Sequence, residues 1–314
     1  MTSLRKLGAS DLQVFPLALG GNVFGWTADE AQSFAVLDAY AAAGGNFIDT
    51  ADAYSAWVAG NEGGESETVI GKWLAARSNR SDIIVATKVG SHPSYKGLSA
   101  ATIKAAADES LRRLGTDHID LYYTHFDDET VPVEEIITTL DELVKAGKVR
   151  EIGASNISAE RLRASVDFSD REGLARYVAL QPHYNLVSRD TYEGALQDTA
   201  ARAGLGAVPY FALAAGFLTG KYRPGTQVES ARAQSAAPYL ESERGPKVLD
   251  ALDRVARAHD VEIASVALAW LAAQPTVVAP IASARTVEQL PALLAVADLR
   301  LTEQELADLT EASA

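Results

Sequence analysis

Two kinds of segment alternate along most of the chain. Short runs of consecutive apolar residues, typical of strands buried on both faces, are separated by alanine-rich stretches with apolar positions at helical spacing. The predicted strands are Phe15–Leu19, Asn46–Asp49, Ile83–Thr87, Ile119–Tyr123, Val149–Ala154, Tyr177–Leu180, Gly206–Pro209 and Thr276–Ala279. The predicted helices are Ala28–Ala43, Ser66–Arg77, Ser99–Leu114, Val133–Ala146, Ala159–Val166, Arg189–Ala203, Gly245–Ala258, Ile263–Ala273 and Val287–Ala297.

Buried strands separated by helices pair in parallel through right-handed crossovers, and eight such units close most naturally into a (β/α)₈ TIM barrel. We expect a single α/β barrel domain over residues 1–314, opened by a β-hairpin around Gly8. A long irregular stretch, Phe211–Arg244, follows strand seven at the catalytic end of such a barrel, where it can fold over a ligand. A doubly wound sheet is the alternative, but the glycines at 20–25 and 204–206 lack the G-x-G-x-x-G spacing of a nucleotide-binding turn.

The amino-acid composition excludes several classes of protein and of functional site. A hydrophobic share of 47% with 22% charged residues excludes a disordered chain. The net charge of −14 opposes general binding to nucleic acid or to an anionic membrane. The absence of cysteine excludes disulfides, thiolate metal sites and cysteine nucleophiles. The longest uncharged stretch, Ile263–Ala284, is broken by Pro275 and Pro280, so we expect no membrane span. We also expect a cytoplasmic, monomeric protein that acts on a small molecule.

Ionisable residues stand where three successive predicted strands end. Asp49 ends strand two, Lys88 follows strand three and His125 follows strand four, while Tyr54 lies five residues after Asp49. Taken singly, each has an ordinary structural explanation as a turn cap, a solvent-reaching stem, a core histidine or a packing tyrosine. In a barrel the carboxyl ends of the strands share one mouth, and a group of ionisable residues there is costly unless it is used.

These four residue types suit proton donation. A phenol with a pKa of about 10 is a weak acid at neutral pH, but an adjacent ammonium favours the phenolate left after donation. Lys88 would tune Tyr54 in this way, Asp49 would hold Lys88 charged, and His125 could hydrogen-bond a carbonyl oxygen. The pattern predicts a site that protonates an oxyanion.

Several segments carry a family resemblance. They are Gly45–Tyr54, Ser66-Glu67-x-x-Ile70-Gly71, Ile84–Lys88, Asp120–His125, Gly147–Asn156, Leu180–Asn185, Ala215–Tyr222 and Ile281–Gln289. With them, essentially the whole sequence resembles the aldo-keto reductase superfamily. The resemblance implies an oxidoreductase that reduces carbonyl compounds with NADPH, bound at the barrel mouth without a Rossmann turn, and it implies no metal. Asp49, Tyr54, Lys88 and His125 are then the catalytic residues.

The resemblance also implies the cofactor site. Ser155, Asn156 and Gln181 would hydrogen-bond the nicotinamide amide, and Tyr210 would stack on its ring. The remaining residues implied to contact NADPH are Gly21, Asp49, Phe211, Ala212, Leu213, Gly216, Leu218, Lys221, Ser283, Ala284, Arg285 and Gln289. Arg285, at the start of a predicted helix, would bind the 2′-phosphate and favour NADPH over NADH. Some family members have a lysine where Ser283 stands.

Apolar residues on the predicted first, second and fourth loops would line the substrate pocket. They are Val23, Phe24, Trp26, Tyr54, Trp57 and Phe126, and they favour aromatic or other apolar carbonyl compounds. One alternative is a cofactor-binding regulatory subunit of the same fold with little turnover. Another is a barrel hydrolase, but the five histidines form no H-x-H or H-E-x-x-H pattern. A short-chain reductase would need Tyr-x-x-x-Lys, which does not occur.

Overall fold

The computed structural model describes residues 3–223, 225, 228 and 232–314. The strands are β1 (Arg5–Lys6), β2 (Gln13–Val14), β3 (Ala18–Gly20), β4 (Phe47–Asp49), β5 (Ile84–Val89), β6 (Ser91–His92), β7 (Tyr95–Lys96), β8 (Ile119–Thr124), β9 (Val149–Ser155), β10 (Tyr177–Gln181), β11 (Gly206–Ala207) and β12 (Ile281–Ala282). The α-helices are α1 (Glu30–Ala42), α2 (Glu65–Arg77), α3 (Ala100–Leu114), α4 (Val133–Lys145), α5 (Ala159–Glu172), α6 (Ala195–Arg202), α7 (Ala233–Glu241), α8 (Arg244–His259), α9 (Ile263–Ala272), α10 (Leu290–Leu294) and α11 (Glu303–Ala312).

Eight parallel strands form one sheet in the order β11-β10-β9-β8-β5-β4-β3-β12. Backbone hydrogen bonds join β11 and the residues after it to β12 and the segment before it. The Ala207 amide donates to the Thr276 carbonyl and the Val278 amide to the Ala207 carbonyl, each at 2.8 Å, and the Ile281 amide donates to the Pro209 carbonyl at 2.9 Å. The sheet is therefore closed, and the predicted (β/α)₈ barrel is confirmed. The predicted hairpin is also present, as the antiparallel pair β1–β2.

The first and last barrel strands lie later than predicted, because prolines interrupt the apolar runs. β12 pairs with β3 only beyond Pro280, whose carbonyl accepts from the Ala18 amide at 2.9 Å. The segment predicted as strand eight, Thr276–Ala279, supplies the closing bonds to β11 instead. Likewise β3 starts at Ala18, after Pro16, which cannot donate to a ladder.

Three predicted helices have different limits. Val287–Ala297 is not one helix but α10 between two 3₁₀ turns, with a proline in its first turn. α6 begins at Ala195 rather than Arg189, after Gly194 at φ 92°. α5 continues six residues beyond the predicted end, to Glu172.

Two helices were not predicted. α7 lies inside the stretch after strand seven that we expected to be irregular, and it contains Pro238, which hid its helical pattern. The same stretch contains a 3₁₀ helix at Ala214–Thr219, and its residues 224, 226, 227 and 229–231 lie outside the described residues. α11 follows a capping box between Thr302 and Glu305, a signal that the sequence does contain.

Side chains alternate between two cores along each barrel strand. Phe47, Ala86 and Leu121 belong to a cluster inside the barrel. Their neighbours, such as Ile48 and Val85, belong to the larger cluster between strands and helices. This period of two decides which residues reach the barrel mouth. Within the described ranges, no helix is long and apolar enough to cross a membrane.

Candidate active site

The inward faces of three neighbouring strands end in polar residues at the same end of the barrel. Two positions after Phe47 comes Asp49, two after Ala86 comes Lys88, and the inward face of β8 continues to His125. Strand alternation therefore brings together the residues that the sequence placed at the barrel mouth.

Lys88 is the centre of the hydrogen-bond network at this mouth. Its Nζ donates to Asp49 Oδ2 at 2.7 Å, to the Thr50 carbonyl at 2.6 Å and to the Tyr54 hydroxyl at 3.0 Å. Its side chain has no exposed surface, and that of Asp49 is 2% exposed. A buried ammonium with three acceptors and a carboxylate partner is fully satisfied.

The turn after β4 places Tyr54 back over Lys88. The Thr50 amide donates to the Ala86 carbonyl at 2.8 Å and the Asp52 amide to the Lys88 carbonyl at 3.3 Å, so the chain follows β5 past its ladder. The Tyr54 amide then closes a turn onto the Ala51 carbonyl at 3.2 Å. The spacing of five residues between Asp49 and Tyr54 is the length of this turn.

Burial and charge act in opposite directions on Tyr54. Burial raises the pKa of the Tyr54 phenol, and the Lys88 ammonium lowers it by less. Burial by itself would lower the pKa of Lys88, but Asp49 and Tyr54 together raise it above its usual value. Lys88 therefore stays an ammonium. It lowers the pKa of Tyr54, as expected, but burial raises that pKa by more.

His125 is a neutral imidazole in this structure. Burial, followed by repulsion from Lys88, lowers its pKa to about 3. Its ring lies edge-on to Tyr54, with centroids 6.0 Å apart, and stacks on Phe126 at 5.1 Å. Its Nδ1 is buried without a partner in the described part of the chain. A neutral imidazole keeps one N–H donor and one acceptor, so it suits hydrogen bonding better than proton donation.

The residues predicted to hold the nicotinamide amide are linked to one another and to Asp49. Gln181 Nε2 donates to Asp49 Oδ1 at 2.8 Å, and Ser155 Oγ donates to the Gln181 carbonyl at 2.8 Å. Asn156 Nδ2 donates to the His125 carbonyl at 2.8 Å, and its Oδ1 accepts from the Tyr210 hydroxyl at 2.7 Å. β9, β10 and the residues after β11 therefore present one connected polar wall.

The loop after β11 has an unusual backbone. Phe211, Ala214 and Ala215 have φ values of 52°, 47° and 55°, in a region that L-residues rarely adopt. At Gly216, with φ 90°, an added Cβ would stand 3.5 Å from Lys221 Nζ. Ala212, Leu213 and Leu218 are also predicted to contact the cofactor. The side chains of Ala212 and Leu218 are buried, so these two residues can contact it mainly through backbone atoms.

The segment predicted to bind the adenosine end is only partly as expected. Ser283 Oγ donates to Asn22 Oδ1 at 2.6 Å, which turns this hydroxyl toward the end of β3. Ala284 is buried, whereas Arg285 is exposed and its amide donates to Gln289 Oε1 at 2.8 Å. The helix N-terminus predicted near residue 286 is wrong, because a three-residue 3₁₀ turn stands there.

Gly21 lies where the end of β3 meets α2. Its carbonyl accepts from Ser66 Oγ at 2.8 Å, and Thr50 Oγ1 donates to the same Ser66 Oγ at 2.8 Å. An added Cβ at Gly21 would stand 2.8 Å from Ser66 Oγ. Ser66 thereby connects Gly21, which is predicted to contact NADPH, to the turn that holds Lys88.

Aromatic side chains rim the mouth. Trp26 and Trp57 meet edge-on at 5.5 Å, and Trp57 lies 6.1 Å from the Tyr54 ring. Trp57 is 52% exposed and Phe126 is 54% exposed, which leaves apolar surface open to a ligand. Val23 and Phe24, predicted for the same pocket, are buried in the outer core, at the 3₁₀ turn after β3.

Two residues at this mouth were not predicted. The His183 ring stacks on Tyr210, with centroids 5.4 Å apart and planes 23° apart, so it supports the ring predicted to carry the nicotinamide. Arg232, just before α7, places its guanidinium 5.6 Å from the Trp26 ring centroid. His183 stands inside the Leu180–Asn185 motif and was open to notice, whereas nothing in the sequence indicates where Arg232 points.

Comparison with known proteins agrees with this geometry. The model of the Aldo/keto reductase family matches residues 16–314. Norsolorinic acid reductase B of Aspergillus parasiticus is 33% identical over 317 residues, covering 95% of this chain and 80% of the relative. Protein tas of Escherichia coli is 32% identical over 331 residues, covering 97% and 95%. Aldo-keto reductase str7 of Strobilurus tenacellus is 34% identical over 307 residues, covering 96% and 87%. The chain belongs to the aldo/keto reductase family, a family of oxidoreductases that use NAD(P)H.

Proposed function

We propose that this protein is an NADPH-dependent reductase that converts aldehydes or ketones to alcohols, in a reversible reaction. The observation that carries the proposal is the buried chain of contacts Asp49–Lys88–Tyr54, with N···O distances of 2.7 and 3.0 Å, which ends in a half-buried phenol at the barrel mouth.

Tyr54 is the proton donor in this mechanism. As negative charge develops on the carbonyl oxygen, the phenol gives up its proton and becomes a phenolate 3.0 Å from the Lys88 ammonium. The opposite charge favours that phenolate, most strongly in a site from which water is excluded. Asp49 keeps Lys88 charged and fixed, so the stabilising charge is in place before the reaction begins.

His125 orients the substrate. Its imidazole lies beside the Tyr54 ring and is neutral, with its pKa lowered to about 3 by burial and by Lys88. An N–H from this ring can donate to the carbonyl oxygen without transferring the proton, which directs the oxygen toward the Tyr54 hydroxyl. Donor and orienting group are thus two different side chains.

The residues present fit the cofactor. Gln181, Asn156 and Ser155 offer the donors and acceptors that a carboxamide needs, and Tyr210 offers a ring held in place by Asn156 and His183. Left-handed backbone around Gly216 permits close approach of a pyrophosphate. When bound, the nicotinamide supplies the hydride that the carbonyl carbon accepts.

The aromatic rim defines the substrate class. Trp26, Trp57 and Phe126 present flat apolar surface beside Tyr54, so we infer a preference for aromatic or other apolar carbonyl compounds. One relative is a norsolorinic acid reductase, and its name supports reduction as the reaction direction. A monomeric state and a cytoplasmic location stay predictions from the sequence.

A substrate screen followed by NADPH absorbance tests the proposal. We expect turnover with several aromatic aldehydes and weaker turnover with short aliphatic ones. Tight NADPH binding with no turnover across the panel would contradict the proposal and favour a cofactor-binding regulatory subunit.

Cofactor preference gives a specific prediction for Arg285→Ala. A charge-assisted hydrogen bond from the exposed guanidinium to a 2′-phosphate contributes about 1.5–3 kcal/mol, so the variant should bind NADPH roughly 10- to 150-fold more weakly and NADH nearly as before. Quenching of tryptophan fluorescence on titration with each cofactor measures both affinities. Arg171→Ala is the matched control, because it removes an exposed arginine of α5 that contacts Glu172 and the Phe168 ring. Equal losses for both cofactors, or a wild type that prefers NADH, would show that Arg285 has another role.

A further inference from the structure

A second group of ionisable residues is buried behind Lys88 and takes no part in the proposed reaction. It lies on the outer face of β5, between that strand and helices α2 and α3, and we call it the Asp52 cluster: Asp52, Glu67, Thr87 and Arg113. Asp52, Glu67 and Thr87 have no exposed surface, and the side chain of Arg113 is 8% exposed.

The one arginine of the cluster forms its shortest hydrogen bond with Glu67, not with Asp52. Arg113 Nε donates to Glu67 Oε2 at 2.6 Å, and Thr87 Oγ1 donates to Glu67 Oε1 at 2.6 Å. Neither carboxyl oxygen of Asp52 has a hydrogen-bond partner in the described part of the chain. A buried carboxylate without a partner is strongly unfavourable, whereas the neutral acid is tolerated.

Every group that faces Asp52 supports this conclusion or is too weak to reverse it. Burial, and then the Glu67 carboxylate on α2, raise the pKa of Asp52 to about 8 against the opposing effects of Arg113 on α3, of the nearby Ala53 amide and of Lys88 on β5. Tyr122 on β8 is a neutral phenol, because burial raises its pKa well above the usual range. Asp52 therefore holds a proton at neutral pH.

Asp52 is also part of the turn that encloses Lys88. Its amide donates to the Lys88 carbonyl at 3.3 Å, and two residues earlier the Thr50 carbonyl accepts from Lys88 Nζ at 2.6 Å. Two residues later stands Tyr54. An ionised Asp52 would draw this turn toward Arg113 and would add a second carboxylate near Lys88, which would weaken the support that Lys88 gives to the Tyr54 phenolate.

We propose that Asp52 is a positioning residue whose neutral acid form keeps the Asp49–Tyr54 turn in its reactive arrangement around Lys88, and whose ionisation lowers reductase activity at alkaline pH. This inference rests on the proposed function for its link to activity. The protonation of Asp52 itself does not depend on that function.

The first test compares the pH profiles of kcat/KM for wild type, Asp52→Asn and Glu67→Gln. Asparagine has the shape of the neutral acid and cannot ionise. With a pKa of about 8, roughly a tenth of Asp52 stays protonated at pH 9, so the ratio of kcat/KM between Asp52→Asn and wild type should rise from about 1 at pH 7 to roughly 10 at pH 9. Glu67→Gln removes the neighbouring anion and frees Arg113, so its activity should fall at a lower pH than that of wild type.

The exposed acid variant Asp108→Asn is the control and should follow the wild-type profile. Superimposable profiles for wild type and Asp52→Asn, or shifts of Asp52→Asn and Glu67→Gln in the same direction, would overturn the proposal. So would a loss for Asp52→Asn that is equal at every pH, because a purely structural role predicts it.

Thermal unfolding tests the proton on Asp52 without any substrate. A carboxyl whose pKa is raised in the folded state reduces stability as pH rises from its unfolded value of about 3.9 toward its folded value. The difference in Tm between Asp52→Asn and wild type should therefore grow from pH 5 to pH 8 and then level off. A constant difference would show that Asp52 is already ionised. A wild type without reductase activity would overturn the proposed function and the link to activity, while this measurement would still decide the protonation.

Discussion

Tyr54→Phe should bind the cofactor as the wild type does and lose most carbonyl reduction. The substitution removes one oxygen, which accepts from Lys88 at 3.0 Å, and keeps the ring that packs on Trp57 and His125 with centroids about 6 Å away. Loss of a positioned general acid costs on the order of 10²–10⁴ in rate. The polar residues predicted to bind the nicotinamide lie on β9, β10 and the segment after β11, away from Tyr54. The affinity for NADPH should therefore change little.

Steady-state NADPH oxidation with an aromatic aldehyde measures the loss, and fluorescence titration with NADPH measures binding. Tyr122→Phe is the matched control, since it also removes a buried phenol oxygen from the neighbouring strand but on the outer face of the barrel. That control should keep nearly full turnover at pH 7. Turnover of Tyr54→Phe close to that of Tyr122→Phe would exclude the phenol as proton donor.

The barrel could be predicted because its determinants are local. Strands such as β5 and β8 are six residues long and buried throughout, a pattern typical of parallel strands covered on both faces. The predicted limits were wrong where prolines occur. Pro280 separates the segment that closes the barrel from β12, and Pro238 obscured the helical pattern of α7. Whether a proline ends an element or is tolerated within it depends on where its missing amide points, which is a property of the folded chain.

The polar residues that meet at the barrel mouth could also be predicted, because position along a barrel strand determines which end of the barrel a residue reaches. Asp49, Lys88 and His125 were identified by that rule alone. The hydrogen bond from Lys88 to the Thr50 carbonyl could not be, since a backbone acceptor is present at every residue. Ser66 was seen only as part of a motif, because its role depends on two oxygens that the fold brings together from the ends of β3 and β4.

The protonation states of buried residues were the property least predictable from the sequence. The sequence shows that His125 and Asp52 can ionise, but burial and neighbouring charges from separate elements decide whether they do. His125 has its pKa lowered to about 3 and Asp52 has its pKa raised to about 8, so both are neutral at pH 7. Neither protonation state can be read from the sequence, because each depends on burial and on charges that other elements bring close.

Lys88→Met should abolish most reductase activity and also destabilise the fold. The ammonium that would stabilise the Tyr54 phenolate is gone, so the rate should fall by an amount similar to that of Tyr54→Phe, on the order of 10²–10⁴. Methionine fills much of the space of the lysine stem, but Asp49 is left buried without its cation, a change that costs about 3–5 kcal/mol. A low activity of this variant alone would therefore not separate chemistry from unfolding.

A double variant separates the two effects. Lys88→Met with Asp49→Asn removes both members of the pair, and replacing a buried ion pair by neutral groups is often tolerated, so Tm should recover most of the loss seen in Lys88→Met. The asparagine can still accept from Gln181, which donates to Asp49 at 2.8 Å in the wild type. Activity should not recover, because the ammonium that is hydrogen-bonded to Tyr54 in the wild type is still missing. Lys148→Met, which breaks an exposed pair with Asp108, serves as the control and should change neither property much. A folded double variant that reduces aldehydes at a rate near that of wild type would show that the Lys88 charge is not what makes Tyr54 an effective acid.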